Sequence, residues 1–277
     1  MTTASTTVHP SRPPRVLVFD SGVGGLSILA EIHARLPQCE LVYACDNAAF
    51  PYGTKNEEEL VERVDIVLKA LIRQVAPDIV VVACNTASTV ALPRIRAHFH
   101  NPVVGVVPAI KPAAKITSTR VIGLLATPGT VARPYTQRLI EDFASHCLVH
   151  RLGSRRLVEI AESKLRNRPA DIGEIRDIIS PLFADADMDT VVLACTHFPL
   201  LRAELEAAAP RAVQWIDSGE AIARRVENLL SAANTPSLST LPAQGFACWL
   251  TADDASRTEF ERGLRQAGAG NFFILQT

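Results

Sequence analysis

No hydrophobic run in the sequence is long enough to cross a membrane; the longest apolar stretches are of strand length. The first fourteen residues, rich in Thr, Ser and Pro, lack the apolar centre of a secretion signal and are expected to form a loose N-terminal extension. An excess of one charge is also missing. With 28 Lys and Arg against 29 Asp and Glu, the formal net charge of −1 offers no overall basic field for nucleic acid. The six cysteines, at 39, 45, 84, 147, 195 and 248, include no Cys-x-x-Cys pair and no framework spacing. Free thiols in a reducing compartment, the cytoplasm, are the expectation. His146, Cys147 and His150 lie close together, but no second ligand pair completes a zinc pattern, so no metal is expected. The stretch Asp20-Ser-Gly-Val-Gly-Gly25 falls short of Gly-x-Gly-x-x-Gly because Ser27 stands in the last glycine position, which argues against a nicotinamide-dependent oxidoreductase.

Two segments that nearly repeat one another dominate what is present. Asp78-Ile-Val-Val-Val-Ala-Cys84-Asn-Thr86 and Asp189-Thr-Val-Val-Leu-Ala-Cys195-Thr-His197 are β-branched apolar runs ending in a cysteine. Each reads as a strand buried on both faces of a parallel sheet, whose carboxyl end is where open α/β sheets bind ligands. A second pair, Arg15-Val-Leu-Val-Phe-Asp20-Ser-Gly22 and Arg120-Val-Ile-Gly-Leu-Leu-Ala-Thr127-Pro-Gly-Thr130, shares a basic residue, a strand and a small polar turn. The arginines stand 105 residues apart and the cysteines 111, so the offsets nearly agree. Two similar α/β halves facing across a cleft would bring both sulfurs to one substrate from opposite sides.

With 277 residues, 48% of them hydrophobic and 21% charged, the chain can build two such domains around sizeable cores. Strands are expected at 16–19, 40–44, 103–107, 122–126, 213–216, 246–251 and 272–275, besides the two cysteine strands. Helices are expected at 26–36, 57–75, 86–99 with a break at Pro93, 131–145, 157–165, 171–182, 198–209, from 217 to about 230, and 257–267. The Ser-, Thr- and Pro-rich 232–243 reads as a linker or surface loop. Glycines in the first turn could let backbone N–H groups approach an anion. Asp20 suits either a turn or a catalytic role, and Tyr52 either packing or binding.

Two thiols suit one task well. Inverting a carbon centre beside a carboxylate requires one group to take its proton while another delivers a proton to the opposite face. An ordinary cysteine, with a pKa of roughly 8.5, can serve as either partner after modest tuning. Asn85, Thr86, Thr196 and His197 follow the sulfurs directly and offer compact donors, and His197 could also move a proton or orient Cys195. A lone cysteine after a strand is usually a small hydrophobe. Packing gives no reason to place one at both equivalent strand ends.

Four blocks then carry a resemblance: Phe19-Asp-Ser-Gly-Val-Gly-Gly-Leu26, Phe50-Pro-Tyr-Gly53, Ala83-Cys-Asn-Thr-Ala87 and Ala194-Cys-Thr-His-Phe-Pro-Leu200. In order and spacing the sequence resembles the glutamate racemases, within the aspartate/glutamate racemase superfamily, from about Val16 to the C-terminus. The resemblance implies interconversion of L- and D-glutamate, supplying D-glutamate for peptidoglycan, with no pyridoxal phosphate or metal. It implies Cys84 and Cys195 as proton donor and acceptor, helped by Asp20 and His197. Asp20, Ser21, Tyr52, Gly53, Asn85, Thr86, Thr127, Thr130, Thr196 and His197 fall where the family binds substrate, and Glu162 matches a carboxylate behind the site.

The implied fold is two pseudo-symmetric α/β domains with mainly parallel sheets and the active site between them. Residues 15–112 with 228–277 would form the first domain and 113–227 the second. A homodimer and a muramyl-peptide precursor as activator are implied partners; no membrane and no nucleic acid are required. A sister racemase acting on aspartate or another small acid, and a non-catalytic binding protein on the same fold, are the alternatives.

Overall fold

A computed structural model describes residues 12–233, 245–253 and 257–276. Most of the expected N-terminal extension and of the expected 232–243 linker lies outside the described residues. The elements run β1 (Arg15–Asp20), α1 (Leu26–Arg35), β2 (Glu40–Cys45), α2 (Glu57–Val75), β3 (Ile79–Val82), α3 (Asn85–His98) and β4 (Val103–Gly105). They continue with α4 (Ile110–Ile116), β5 (Val121–Ala126), α5 (Pro128–Ala132), α6 (Pro134–Ala144), β6 (Leu148–Gly153), α7 (Arg156–Leu165) and α8 (Ile172–Ile179). The rest are β7 (Thr190–Leu193), α9 (Arg202–Ala208), β8 (Gln214–Ile216), α10 (Gly219–Ala232), β9 (Phe246–Leu250), α11 (Arg257–Gln266) and β10 (Ala269–Ile274).

Two parallel sheets result, ordered β10-β9-β2-β1-β3-β4 and β6-β5-β7-β8. The first sheet's β2-β1-β3-β4 has the same order as the whole second sheet, which gives the expected duplication its physical form. In both, the cysteine strand lies beside the strand that opens the half, so both strand ends point at one cleft. The apolar runs of β3 and β7 are fully buried, as helices on both faces demand. Side chains of β1 alternate between two cores: Val16 and Val18 pack with α1 and α10, Leu17 and Phe19 with α2 and α3.

Several expectations need correction. Helix α3 runs unbroken through Pro93, because Ala87, Ala91 and Ile95 keep one face buried across it and only the ladder bond from position 93 is forfeited. The expected 131–145 helix is two helices, each starting with a proline at its first position, Pro128 and Pro134. Strand β6 was not expected: this sheet edge is half exposed and carries His150 and Arg151, so it has no apolar run to announce it. Helix α4 already packs in the second domain's core through Ile110 and Ala113, and α10 lies against α1 through Ile222, Ala223 and Val226. No described helix is long and apolar enough to cross a membrane.

Candidate active site

Cys84 and Cys195 each follow their strand after one alanine, Ala83 beyond β3 and Ala194 beyond β7; Cys84 forms the N-terminal boundary of α3, and Cys195 precedes a short 3-10 turn, Phe198–Leu201. Each is 7% exposed, and together they line one cavity of about 150 Å³. Ser21, Tyr52, Gly53, Asn85, Thr86, Thr127, Thr130, Thr196 and His197 line it too. Asp20 and Glu162, also expected at the site, stand behind its wall.

The two sulfurs meet different neighbours. Cys195 Sγ lies 3.8 Å from His197 Nδ1, and His197 Nε2 lies 2.9 Å from Glu162 Oε1. The other Glu162 oxygen accepts from Arg166 at 3.1 Å, and Oε1 also accepts from the Val23 N–H at 2.8 Å. Burial alone would strip His197 of its proton, but Cys195 and Glu162 outweigh it and hold the imidazole pKa well above 6.5. Burial alone would likewise raise Glu162, yet His197, the Val23 amide and Arg166 hold it below its usual value. The site thus contains a buried imidazolium–carboxylate pair aimed at one sulfur.

Cys84 has no such cation. Its Sγ lies 3.8 Å from Ser21 Oγ, and burial, reinforced by the Asp20 carboxylate, pushes the thiol up to about 12. The Ala87 amide at the start of α3 works weakly the other way. Asp20 is fully buried, and burial raises its own pKa. Its Oδ1 accepts from the Gly22 N–H at 3.1 Å, and its Oδ2 accepts from Thr196 Oγ at 3.0 Å, across the two domains. Asp20 is therefore both turn former and cross-cleft anchor, reaching the cavity through Ser21 and Thr196.

The glycines of the first turn are explained by this crossing. A Cβ at Gly22 would sit 2.3 Å from Glu162 Oε1, and one at Gly24 would sit 2.4 Å from His197 Nδ1. The anion that the backbone amide of Val23 approaches is the protein's own Glu162. Tyr52 is 1% exposed, and its hydroxyl donates to Asp46 at 2.5 Å. Asp46 also accepts from Arg63 at 2.7 and 3.0 Å and from Thr251 at 2.6 Å, and with that support its carboxyl stays below the usual range despite burial. The loop carrying Tyr52 and Gly53 is thereby tied to α2 and β9.

Asn85 Oδ1 is buried and has no hydrogen-bond partner among the described residues, an unmet acceptor on a residue that lines the cavity. Sequence reasoning missed Asp46 and a wall from the start of α7, namely Arg155, Val158 and Glu159. A signal for that wall existed: once Glu162 is assigned, positions 155, 158 and 159 share its helix face. His150 pairs with Asp185 at 2.7 Å, and among the described residues no three His, Cys, Asp or Glu are grouped to hold a metal.

The family described as Asp/Glu/Hydantoin racemase matches residues 26–226. The chain is 52% identical over 246 residues to the glutamate racemase of Klebsiella pneumoniae, covering 88% of this chain and 87% of that one. It is 55% identical over 217 residues to the glutamate racemase of Vibrio cholerae, covering 78% and 81%. The crystal structure of Escherichia coli glutamate racemase in complex with L-glutamate and the activator UDP-MurNAc-Ala superposes with a TM-score of 0.88 at 45% identity, covering 95% of this chain and 98% of that one.

Proposed function

The chain belongs to the Asp/Glu/Hydantoin racemase family, and from that premise we propose that it interconverts L- and D-glutamate by a proton transfer shared between Cys84 and Cys195. The observation that carries this reading is one small cavity with a thiol on each wall and opposite electrostatics behind the two thiols.

In one direction a cysteine thiolate takes the Cα proton, and the electron pair passes into the α-carboxylate as an enediolate. The thiol of the other cysteine then gives its proton to the opposite face, leaving the mirror-image amino acid and two sulfurs with exchanged proton states. Burial holds Cys84 as a thiol at neutral pH, so it takes the donor's part in the resting pocket. Cys195, facing His197, takes the acceptor's part. Asn85 Oδ1 receives the substrate ammonium, an assignment supported by its lack of a partner among the described residues. The Thr86 hydroxyl serves the α-carboxylate, Thr196 holds Asp20 behind the wall, and Tyr52, Gly53, Thr127 and Thr130 bound the substrate's side chain.

D-Glutamate made this way would supply peptidoglycan synthesis from the cytoplasm. A muramyl-peptide precursor is proposed as activator, on the ground that the Escherichia coli relative was solved with one, and a homodimer as the working assembly. Polarimetry tests the activity: purified protein with nothing added should bring the rotation of L- or D-glutamate to zero and leave aspartate unchanged. Racemisation of aspartate alone would replace this reading, and initial rates with and without UDP-MurNAc-Ala test the activator.

A further inference from the structure

Resting on the glutamate reading, we infer that Arg155 is a specificity-determining residue, an electrostatic gate at the cavity mouth that favours a net-negative amino acid. Glutamate carries two carboxylates and one ammonium. Yet Arg155 is the only guanidinium or ammonium among the described residues lining the cavity, and the imidazolium of His197 is already offset by Glu162. Glu159 is the carboxylate in the same lining, and because Arg156 also holds it, Arg155 is the cation free to turn toward a dicarboxylate on its way in.

Local structure gives Arg155 no other task. It stands immediately before α7, where a cation opposes the helix dipole, and its side chain caps no backbone group. Among the described residues its Nε reaches only Glu159 Oε1, at 3.4 Å, and its side chain is 62% exposed. Glu159 does not depend on it, because Arg156 reaches Glu159 Oε2 at 3.2 Å while also holding Glu174 at 2.6 Å. Arg155 can thus leave Glu159 for an incoming carboxylate without stranding a charge. Arg156 is accounted for by Glu174; Arg155 is accounted for by the cavity.

The test is steady-state racemisation by Arg155→Ala, Arg155→Glu and Arg155→Lys at low and high ionic strength. For Arg155→Ala the KM for glutamate should rise about tenfold at low salt, within the range of a steering charge, while kcat stays within about twofold. Arg155→Glu should raise it further and Arg155→Lys should restore most of it. The gap between wild type and Arg155→Ala should narrow as salt screens the mouth. Thermal stability should hold or rise slightly, because a cation has left a helix N-terminus. An unchanged KM in both Arg155→Ala and Arg155→Glu at low salt, with active wild-type protein, would overturn this inference alone. Wild-type protein that racemises no glutamate would overturn the parent reading and this inference with it.

Discussion

The ends of β3 and β7 occupy equivalent places in two sheets of matching strand order, yet the surroundings of Cys84 and Cys195 are nearly opposite in charge. Behind Cys84 are a buried carboxylate and a serine hydroxyl; beside Cys195 is an imidazolium held by a carboxylate and a guanidinium. The difference assigns placement to the duplicated strands and proton bias to residues that are not duplicated. Asp20 ends β1 and Glu162 lies in α7, and both reach across the cleft. A symmetric scaffold thus carries an asymmetric pair, which a reaction that starts with one thiol and one acceptor requires.

The comparison is broken most severely by removing either sulfur. Cys84→Ser and Cys195→Ser should each lower racemisation by about a thousandfold or more, within the span of acid–base catalysis, with circular dichroism unchanged. Near-normal turnover in both would remove the two-thiol account.

Next comes Glu162→Gln, which takes away the carboxylate that, with Cys195, raises the pKa of His197. Turnover should fall about thirtyfold. The alkaline limb of the pH–rate profile should move to lower pH, because the raised imidazole pKa drops when its partner is gone. Stability carries the same sign. His197 is raised, so its contribution is complete below 6.5 and lost as pH rises through the folded value; Glu162 is lowered, so its contribution is present above 4.5 and lost as pH falls through the folded value. The melting temperatures of wild type and Glu162→Gln should therefore differ most between those two pH values.

Smaller again is Gly24→Ala, whose Cβ would press on His197 Nδ1 and Thr196 Oγ and displace the Cys195 side while sparing Cys84. About a tenfold loss of turnover and 1–3 kcal/mol of stability are expected from such overpacking, read by kinetics and urea melts. Asp46→Asn acts furthest from the chemistry. Weakening a buried ion pair that also holds Tyr52 should cost about 3 kcal/mol of stability and only a few-fold in turnover.

How much of this could be read beforehand follows from which residues carry periodicity. Strands β3 and β7, with the cysteines beyond their ends, stand out because burial on both faces leaves Ile-Val-Val-Val in one and Thr-Val-Val-Leu in the other. Strand β6 does not, since an edge facing solvent tolerates His150 and Arg151. Pro93 misleads because tertiary packing of Ala87, Ala91 and Ile95 overrides a local rule. Asp46 hides in a loop of turn formers, where nothing in the local pattern separates a buried hub from a surface aspartate. Arg155 and Glu159 hide as the polar face of an amphipathic helix, and only the fold turns that face into a cavity wall.

The most direct measurement follows L-glutamate in heavy water with purified protein and nothing added, reading deuterium at Cα in both enantiomers at early conversion. Two thiols on opposite faces predict D-glutamate carrying one deuterium at Cα while the remaining L-glutamate still carries protium, with the mirror result from D-glutamate. Product that retains the original proton, or no exchange either with or without UDP-MurNAc-Ala, would contradict the account.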